Sequence, residues 1–400
     1  MTVAAAERGV TAPHGFRAAG VACGIKARGL DLAIVVSDGP AAAAGVFTTN
    51  RAVAAPILVS RRQLAGGGRA QAIVVNSGCA NACTGADGLE HAQSMVQQTA
   101  TAVHCDQSAV LVASTGVIGV KLDMAKVATG IVDAAAALAR EGGANAARAI
   151  MTTDPFPKQA SVEMEGPGGT FRVGGMAKGS GMIEPNMATM LGFITTDAAV
   201  PAPVLQRALK AAVDETFNAI TVDGECSTND CVFALANGAS SVRLGDGEYV
   251  LLVDALRRVC EPLAIAIVRG GEGATKLVTV QVTGATSNDD ARRAARVIAN
   301  STLVKTAIHG ADPNWGRLVA AAGRSGADFV PEAAAVRIGP IELFSAGAPH
   351  DERAGDAAAY LKGTEILVEV DLGTGGGGRA QMWTCDLSPE YVRINAEYRT

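Results

Sequence analysis

The stretch GMIEPNMATML, residues 181–191, sets a proline, small residues and a hydroxyl between apolar side chains, where one uninterrupted strand or helix would be simpler. Thr189, directly behind Ala188, is the residue to explain. If the Ala188–Thr189 bond breaks, Thr189 becomes N-terminal. Its α-amine, with an ordinary pKa of about 7.7–8.0, then accepts the proton of its own hydroxyl. One residue supplies both nucleophile and base. The break itself needs a hydroxyl to attack the preceding carbonyl, and Ala188 puts little bulk beside that carbonyl. The plain alternative is a β-forming threonine entering an apolar strand.

Conventional catalytic sets are scarce in the rest of the chain. There are five histidines in 400 residues, and none neighbours a serine or cysteine in a nucleophile-elbow pattern. His309, in IHGADPNWGR, is the best placed of them and reads as a hydrogen-bonded structural histidine. Eight cysteines at this length do not form a secreted disulfide framework, so reduced thiols are expected. The close pairs Cys79/Cys83 and Cys226/Cys231 lack zinc-knuckle spacing, and no metal is expected.

Composition bounds the class. A chain that is 48% hydrophobic and 18% charged can bury a large core in two or three domain-sized units. The net charge of -5 is spread without runs of one sign and aromatics are 4%, which disfavours a nucleic-acid partner. Glu7 and Arg8 interrupt what would be the apolar segment of an export signal, and no run reaches the roughly 18 apolar residues of a membrane span. A cytoplasmic protein is expected, with no membrane partner.

Strands are predicted at 32–37, 43–49, 71–78, 109–115, 170–177, 189–198, 276–284 and 364–373. In the last, Ile366, Val368, Val370 and Leu372 alternate with polar positions. Helices are predicted at 87–103, 123–140, 201–216, 247–268 and 287–300, with Asp123 and Ser287 as N-caps and Pro201 in a first turn. Several strands follow one another without an intervening helix, so layered α and β on mixed or antiparallel sheets fits better than a doubly wound parallel sheet. The runs AGGGR (65–69) and GGGG (375–378) match neither a P-loop nor a dinucleotide turn and read as loops.

Several small-residue loops hold polar side chains, as an anion or oxyanion site requires: NSGCANACTG (76–85), STGVIG (114–119), MAKGSGM (176–182) and DGECSTND (223–230). STGVIG and DGECSTND, together with AIMTTDPFPK, KGSGMIEPNMATML, GGEGATK, LVKTAIHGADPNWGR and the C-terminal YVRINAEYRT, closely resemble the ornithine acetyltransferase (glutamate N-acetyltransferase) family, in order and over essentially the whole chain.

The resemblance implies an αββα sandwich similar to N-terminal nucleophile hydrolases but differently connected. It implies self-cleavage between Ala188 and Thr189, giving a 1–188 α chain and a 189–400 β chain that stay co-folded, assembled as an α2β2 heterotetramer. It implies transfer of the acetyl group of N2-acetyl-L-ornithine to L-glutamate through acetyl-Thr189, in cyclic arginine biosynthesis. Thr115 and Gly116 correspond to the oxyanion hole. Thr152 (or its neighbour Thr153), Lys178, Thr189, Glu272, Asn395 and Thr400 correspond to substrate contacts, Lys178 suiting a carboxylate and Glu272 an amine. No cofactor is implied, with acetyl-CoA as a second candidate donor. The alternative is a self-processed aminopeptidase or amidase of similar fold.

Overall fold

The computed structural model describes residues 8–184 and 190–397. Ala188, Thr189 and Thr400 lie outside the described residues. The chain divides into two compact units. The first takes its described residues from 8–218 and 225–267, and the second comprises 219–224 and most of the chain from Val268 onward.

The first unit is built on eight strands: β1 (Phe16–Val21), β2 (Leu32–Phe47), β3 (Arg69–Cys79), β4 (Val110–Val117), β5 (Lys158–Gly166), β6 (Gly169–Lys178), β7 (Leu191–Thr196) and β8 (Cys231–Ala236). They run in the order β4-β3-β2-β8-β7-β6-β5, with β1 beside β2. The β3–β4 and β7–β8 pairs are parallel and the others antiparallel. The helices are α1 (Ala55–Ala65), α2 (Gly85–Val103), α3 (Met124–Ala136), α4 (Gly143–Ala149), α5 (Ala202–Glu215) and α6 (Tyr249–Arg269).

Alternation along the strands sorts side chains into layers. Leu32, Ile34, Val74 and Val112 face Met95 of α2 and Ile131 of α3. Their neighbours Ala33, Val35, Val75 and Ala113 turn the other way, into a core shared with Met176, Phe193 and Phe233 of β6–β8. Beyond β6 and β7, Gly175 and Ile194 face Val259 and Leu263 of α6; a Cβ on Gly175 would come within 2.8 Å of Ile194 and of Val259. Helix, sheet, sheet, helix is the expected αββα layering.

Two predicted strands, 32–37 and 43–49, are one strand. β2 runs through Asp38, Gly39 and Pro40 with a shift in register between Val36 and Ala41. Its first half lies between β1 and β3, and its second half pairs with β8. Asp123 and Ser287 do cap helices, accepting from the Lys126 and Asp290 amides. Pro201 sits at the N-cap of α5, one position ahead of the first turn.

The second unit holds a six-stranded mixed sheet, ordered β12-β11-β10-β13-β9-β14. Its strands are β9 (Leu277–Ala285), β10 (Ala335–Ile338), β11 (Ile341–Ser345), β12 (Ala348–Pro349), β13 (Glu365–Asp371) and β14 (Gly378–Cys385). Its helices are α7 (Asn288–Ala299), α8 (Thr302–His309), α9 (Trp315–Gly323), α10 (Ala354–Tyr360) and α11 (Pro389–Glu397). The LVKTAIHGADPNWGR motif is largely scaffold. Buried Lys305 donates to Thr384 Oγ1 (2.9 Å) and the Cys385 carbonyl (2.6 Å), Asn314 caps α9, and Trp315 stacks on Phe344 at 4.9 Å. Among the described residues no helix is long and apolar enough to cross a membrane.

Candidate active site

β4 is buried on both faces through Thr115, as expected of a strand with a neighbouring layer on each side. At its end, Gly116 pairs with Gly78 of β3. Gly116 has φ +127°, and a Cβ there would lie 2.3 Å from the Gly78 carbonyl carbon. Both the conformation and the approach require glycine. The strand end is braced by side chains. Ser114 donates to Asn76 Oδ1 (2.6 Å), and Asn229 Nδ2 donates to the carbonyls of Ser114 (2.9 Å) and Ala80 (2.6 Å).

Lys178 closes β6, 3% exposed, and its Nζ donates to Thr115 Oγ1 at 3.1 Å. The ammonium occupies a lone pair of that hydroxyl, so the hydroxyl proton is directed elsewhere as a donor. The β6–β7 register places Lys178 opposite Leu191, two residues beyond Thr189.

Asp154 ties this group together. Its Oδ1 accepts from Lys158 Nζ (2.6 Å) and the Gly179 amide (2.7 Å), and its Oδ2 accepts from the Thr152 amide (3.1 Å). Burial alone would raise the Asp154 pKa. The charges of Lys178 and Lys158 outweigh it and hold the carboxyl below the usual carboxylate range. One carboxylate thus fixes the backbone of Thr152 and of the residue after Lys178. The sequence alone does not single it out, because its partners become neighbours only through the fold.

Asp230, within DGECSTND, is a second carboxyl that its motif alone does not single out. Its Oδ1 accepts the amide of Met190, the residue after Thr189, at 2.9 Å. It is 1% exposed, and burial pushes its pKa well above the usual range, favouring the protonated acid. Among the described residues its Oδ2 has no hydrogen-bond partner. Cys79, in NSGCANACTG, is buried and donates to the Val120 carbonyl (3.1 Å); burial raises its pKa, so it is a poor nucleophile.

Glu272 and Asn395 lie together in the second unit. Asn395 Nδ2 donates to Glu272 Oε2 at 2.9 Å, and Glu272 is 7% exposed. The loop carrying Glu272 is pinned from behind. Asp386 accepts from the Thr275 amide (2.7 Å), Thr275 Oγ1 (2.6 Å) and the Lys276 amide (2.8 Å). His309 Nδ1 lies 2.7 Å from Asp386 Oδ2, so His309 is the hydrogen-bonded structural residue expected. Ser388 Oγ donates to the Gly273 carbonyl at 2.6 Å, and Gly273 has φ +70°. Thr115, Gly116, Thr152 and Lys178 therefore form one group within the first unit, and Glu272 and Asn395 a pair within the second.

A hydroxyl, a glycine amide and a buried ammonium in one group are the kinds of donor from which an oxyanion or a carboxylate accepts. The ArgJ family model matches residues 17–400. The arginine biosynthesis bifunctional protein ArgJ of a Synechococcus species is 52% identical over 98% of this chain and 97% of its own length. The same-named protein of Symbiobacterium thermophilum is 52% identical over 98% of each. A solved chain of ornithine acetyltransferase complexed with ornithine, from Mycobacterium tuberculosis, is 46% identical with a TM-score of 0.43, covering 45% of this chain and 96% of that one. With a family model spanning both units and half of all positions identical to such relatives, the chain belongs to the ArgJ family.

Proposed function

We propose that the protein transfers the acetyl group of N2-acetyl-L-ornithine to L-glutamate in arginine biosynthesis, as a glutamate N-acetyltransferase with Thr189 as nucleophile. The observation that carries the reading is the buried Lys178–Thr115 hydrogen bond beside Gly116, in a chain of this family. Maturation cuts Ala188 from Thr189, leaving residues 1–188 and 189–400 associated as an α2β2 heterotetramer in the cytoplasm. The freed α-amine of Thr189 takes its hydroxyl proton as Oγ attacks the acetyl carbonyl. The Thr115 hydroxyl and the Gly116 amide receive the developing negative oxygen. The amine of ornithine leaves with the proton, and acetyl-Thr189 remains. The amine of glutamate attacks this ester, and Thr189 Oγ regains its proton as acetylglutamate departs.

Thr152, Lys178, Glu272, Asn395 and Thr400 hold substrate in this reading, and no cofactor takes part; acetyl-CoA is the second donor to compare. The test is single turnover with N2-acetylornithine and no glutamate. One equivalent of ornithine is expected, with one acetyl group on the fragment beginning at Thr189, discharged to acetylglutamate when glutamate is added. Continuous release of acetate at a rate indifferent to glutamate would instead identify an amidase.

A further inference from the structure

β4 and β7 carry the two halves of the proposed chemistry, yet among the described residues no backbone ladder joins them. β4 ends at Thr115 and Gly116 and pairs with β3, whereas β7 begins two residues after Thr189 and pairs with β6 and β8. Strands within a ladder are held about 4.8 Å apart by their hydrogen bonds, but strands in facing layers are spaced by side chains. The Lys178–Thr115 hydrogen bond crosses this gap on a flexible stem, and its ammonium is assigned to substrate.

Asn229 and Asp230, adjacent residues leading into β8, make a stiffer connection, and both are buried. Asn229 Oδ1 accepts the Thr228 hydroxyl at 2.6 Å, which turns both Nδ2 protons the other way. They go to the carbonyls of Ser114 (2.9 Å), the residue before Thr115, and of Ala80 (2.6 Å). The Ala80 amide in turn donates to the Val117 carbonyl (3.0 Å), just beyond Gly116. Asp230 holds the other strand. Its Oδ1 accepts the Met190 amide (2.9 Å), and the amide of the following Cys231 donates to the Met190 carbonyl (3.3 Å). Both backbone groups of the residue after Thr189 are thus fixed from one place. The dipeptide is itself anchored, with the Asp230 carbonyl accepting the Thr48 amide (2.9 Å) and the Asn229 amide donating to Ser227 Oγ (3.1 Å).

We infer that Asn229 and Asp230 are positioning residues that set the separation between the Thr115–Gly116 donors and Thr189. Asn229 holds the strand end that carries the donors, Asp230 holds the strand that follows the nucleophile, and the peptide bond between them ties the two together. A misplacement of about 1 Å between reacting groups is enough to cost about a hundredfold in rate. The inference rests on the acetyl-transfer reading and adds to it the parts that keep nucleophile and oxyanion donors in register.

The experiment is a double-mutant cycle on kcat and KM for acetyl transfer from N2-acetylornithine to glutamate, with Asn229→Ala and Thr115→Val made singly and together. Asn229→Ala is expected to lower kcat about ten- to a hundredfold, with KM within about threefold of wild type. With the donors displaced, removing the Thr115 hydroxyl should then cost less than about threefold more, well below its effect in the wild-type background. A residue that only stabilises the fold would lower the melting temperature and leave the Thr115→Val loss equal in the two backgrounds, and that result would overturn the assignment. A raised KM at unchanged kcat would do the same. Asp230→Ala should slow both the cut before Thr189 and kcat, and Asp230→Asn, which keeps an acceptor for the Met190 amide, should restore both. No loss in the alanine variants, or an Asp230→Asn protein as impaired as Asp230→Ala, would also overturn it. Where an alanine variant fails to fold, the serine variant at that position, which keeps one hydroxyl, takes its place. Failure of the wild type to form acetyl-Thr189 would strike the acetyl-transfer reading instead.

Discussion

Thr115 shows how much a single hydroxyl's surroundings decide. With Lys178 donating to its oxygen, its proton is the only part left to meet a developing anion. Thr115→Val keeps the shape and removes the donor, so kcat is expected to fall about ten- to a thousandfold with little change in KM, read by steady-state kinetics. Asp230 makes a different prediction, on pH. Its folded pKa is raised, so the folded state holds a proton that the unfolded chain has released above about pH 4, and its contribution to stability is lost as pH rises. Asp230→Asn keeps an acceptor for the Met190 amide and has no such titration. The variant should gain on wild type in melting temperature from pH 5 to pH 8; a constant difference would mean that Asp230 ionises freely in the fold. Thr115, Gly116 and Lys178 stand in motifs that the family resemblance singles out, and the fold brings them into one group. Asp154 and Asp230 are not singled out, since a carboxylate becomes informative only when its distant partners are known.

Among the elements, the loop from Gly270 to Lys276 depends on a carboxylate that never reaches its tip. Burial works to raise the Asp386 pKa, but the hydrogen bonds from Thr275, His309 and Lys276 outweigh it and hold it below the usual range. The stabilisation this reports is present above about pH 4, and is lost as pH falls through the depressed folded value. Asp386→Ala removes the acceptor from several donors at once and should cost about 3 kcal/mol in urea unfolding at neutral pH, with the gap to wild type narrowing below pH 4. Strands were unequally readable for a related reason. β13 declares itself through the alternation of Ile366, Val368 and Val370, which have one buried face. β8, CVFALA, is buried at every position and shows no alternation, so it went unpredicted next to the polar DGECSTND. The irregularity in β2 looked like a strand end because Asp38, Gly39 and Pro40 have turn chemistry.

At the scale of the whole chain, Thr189→Ala should yield one uncut, inactive polypeptide on a denaturing gel, and the wild type should give two bands. N-terminal sequencing of the smaller and larger wild-type products should begin one of them at Thr189. A cut elsewhere, or a cut persisting in the variant, would end the self-processing account. The native sheet order makes a further demand on this step. β7 and β8 lie C-terminal to the junction, yet they are inserted between β2 and β6, which lie N-terminal to it. Residues 1–188 alone would present two raw hydrogen-bonding edges lined by apolar residues, the kind of surface that drives aggregation. Residues 189–400 alone would hold β7 and β8 as a bare parallel pair, stripped of the antiparallel neighbours on both sides. Neither product by itself holds the eight-stranded sheet. The proposed scission is therefore expected to follow closure of the sheet, which would make the appearance of a second band a clock for completed folding rather than only a step toward activity.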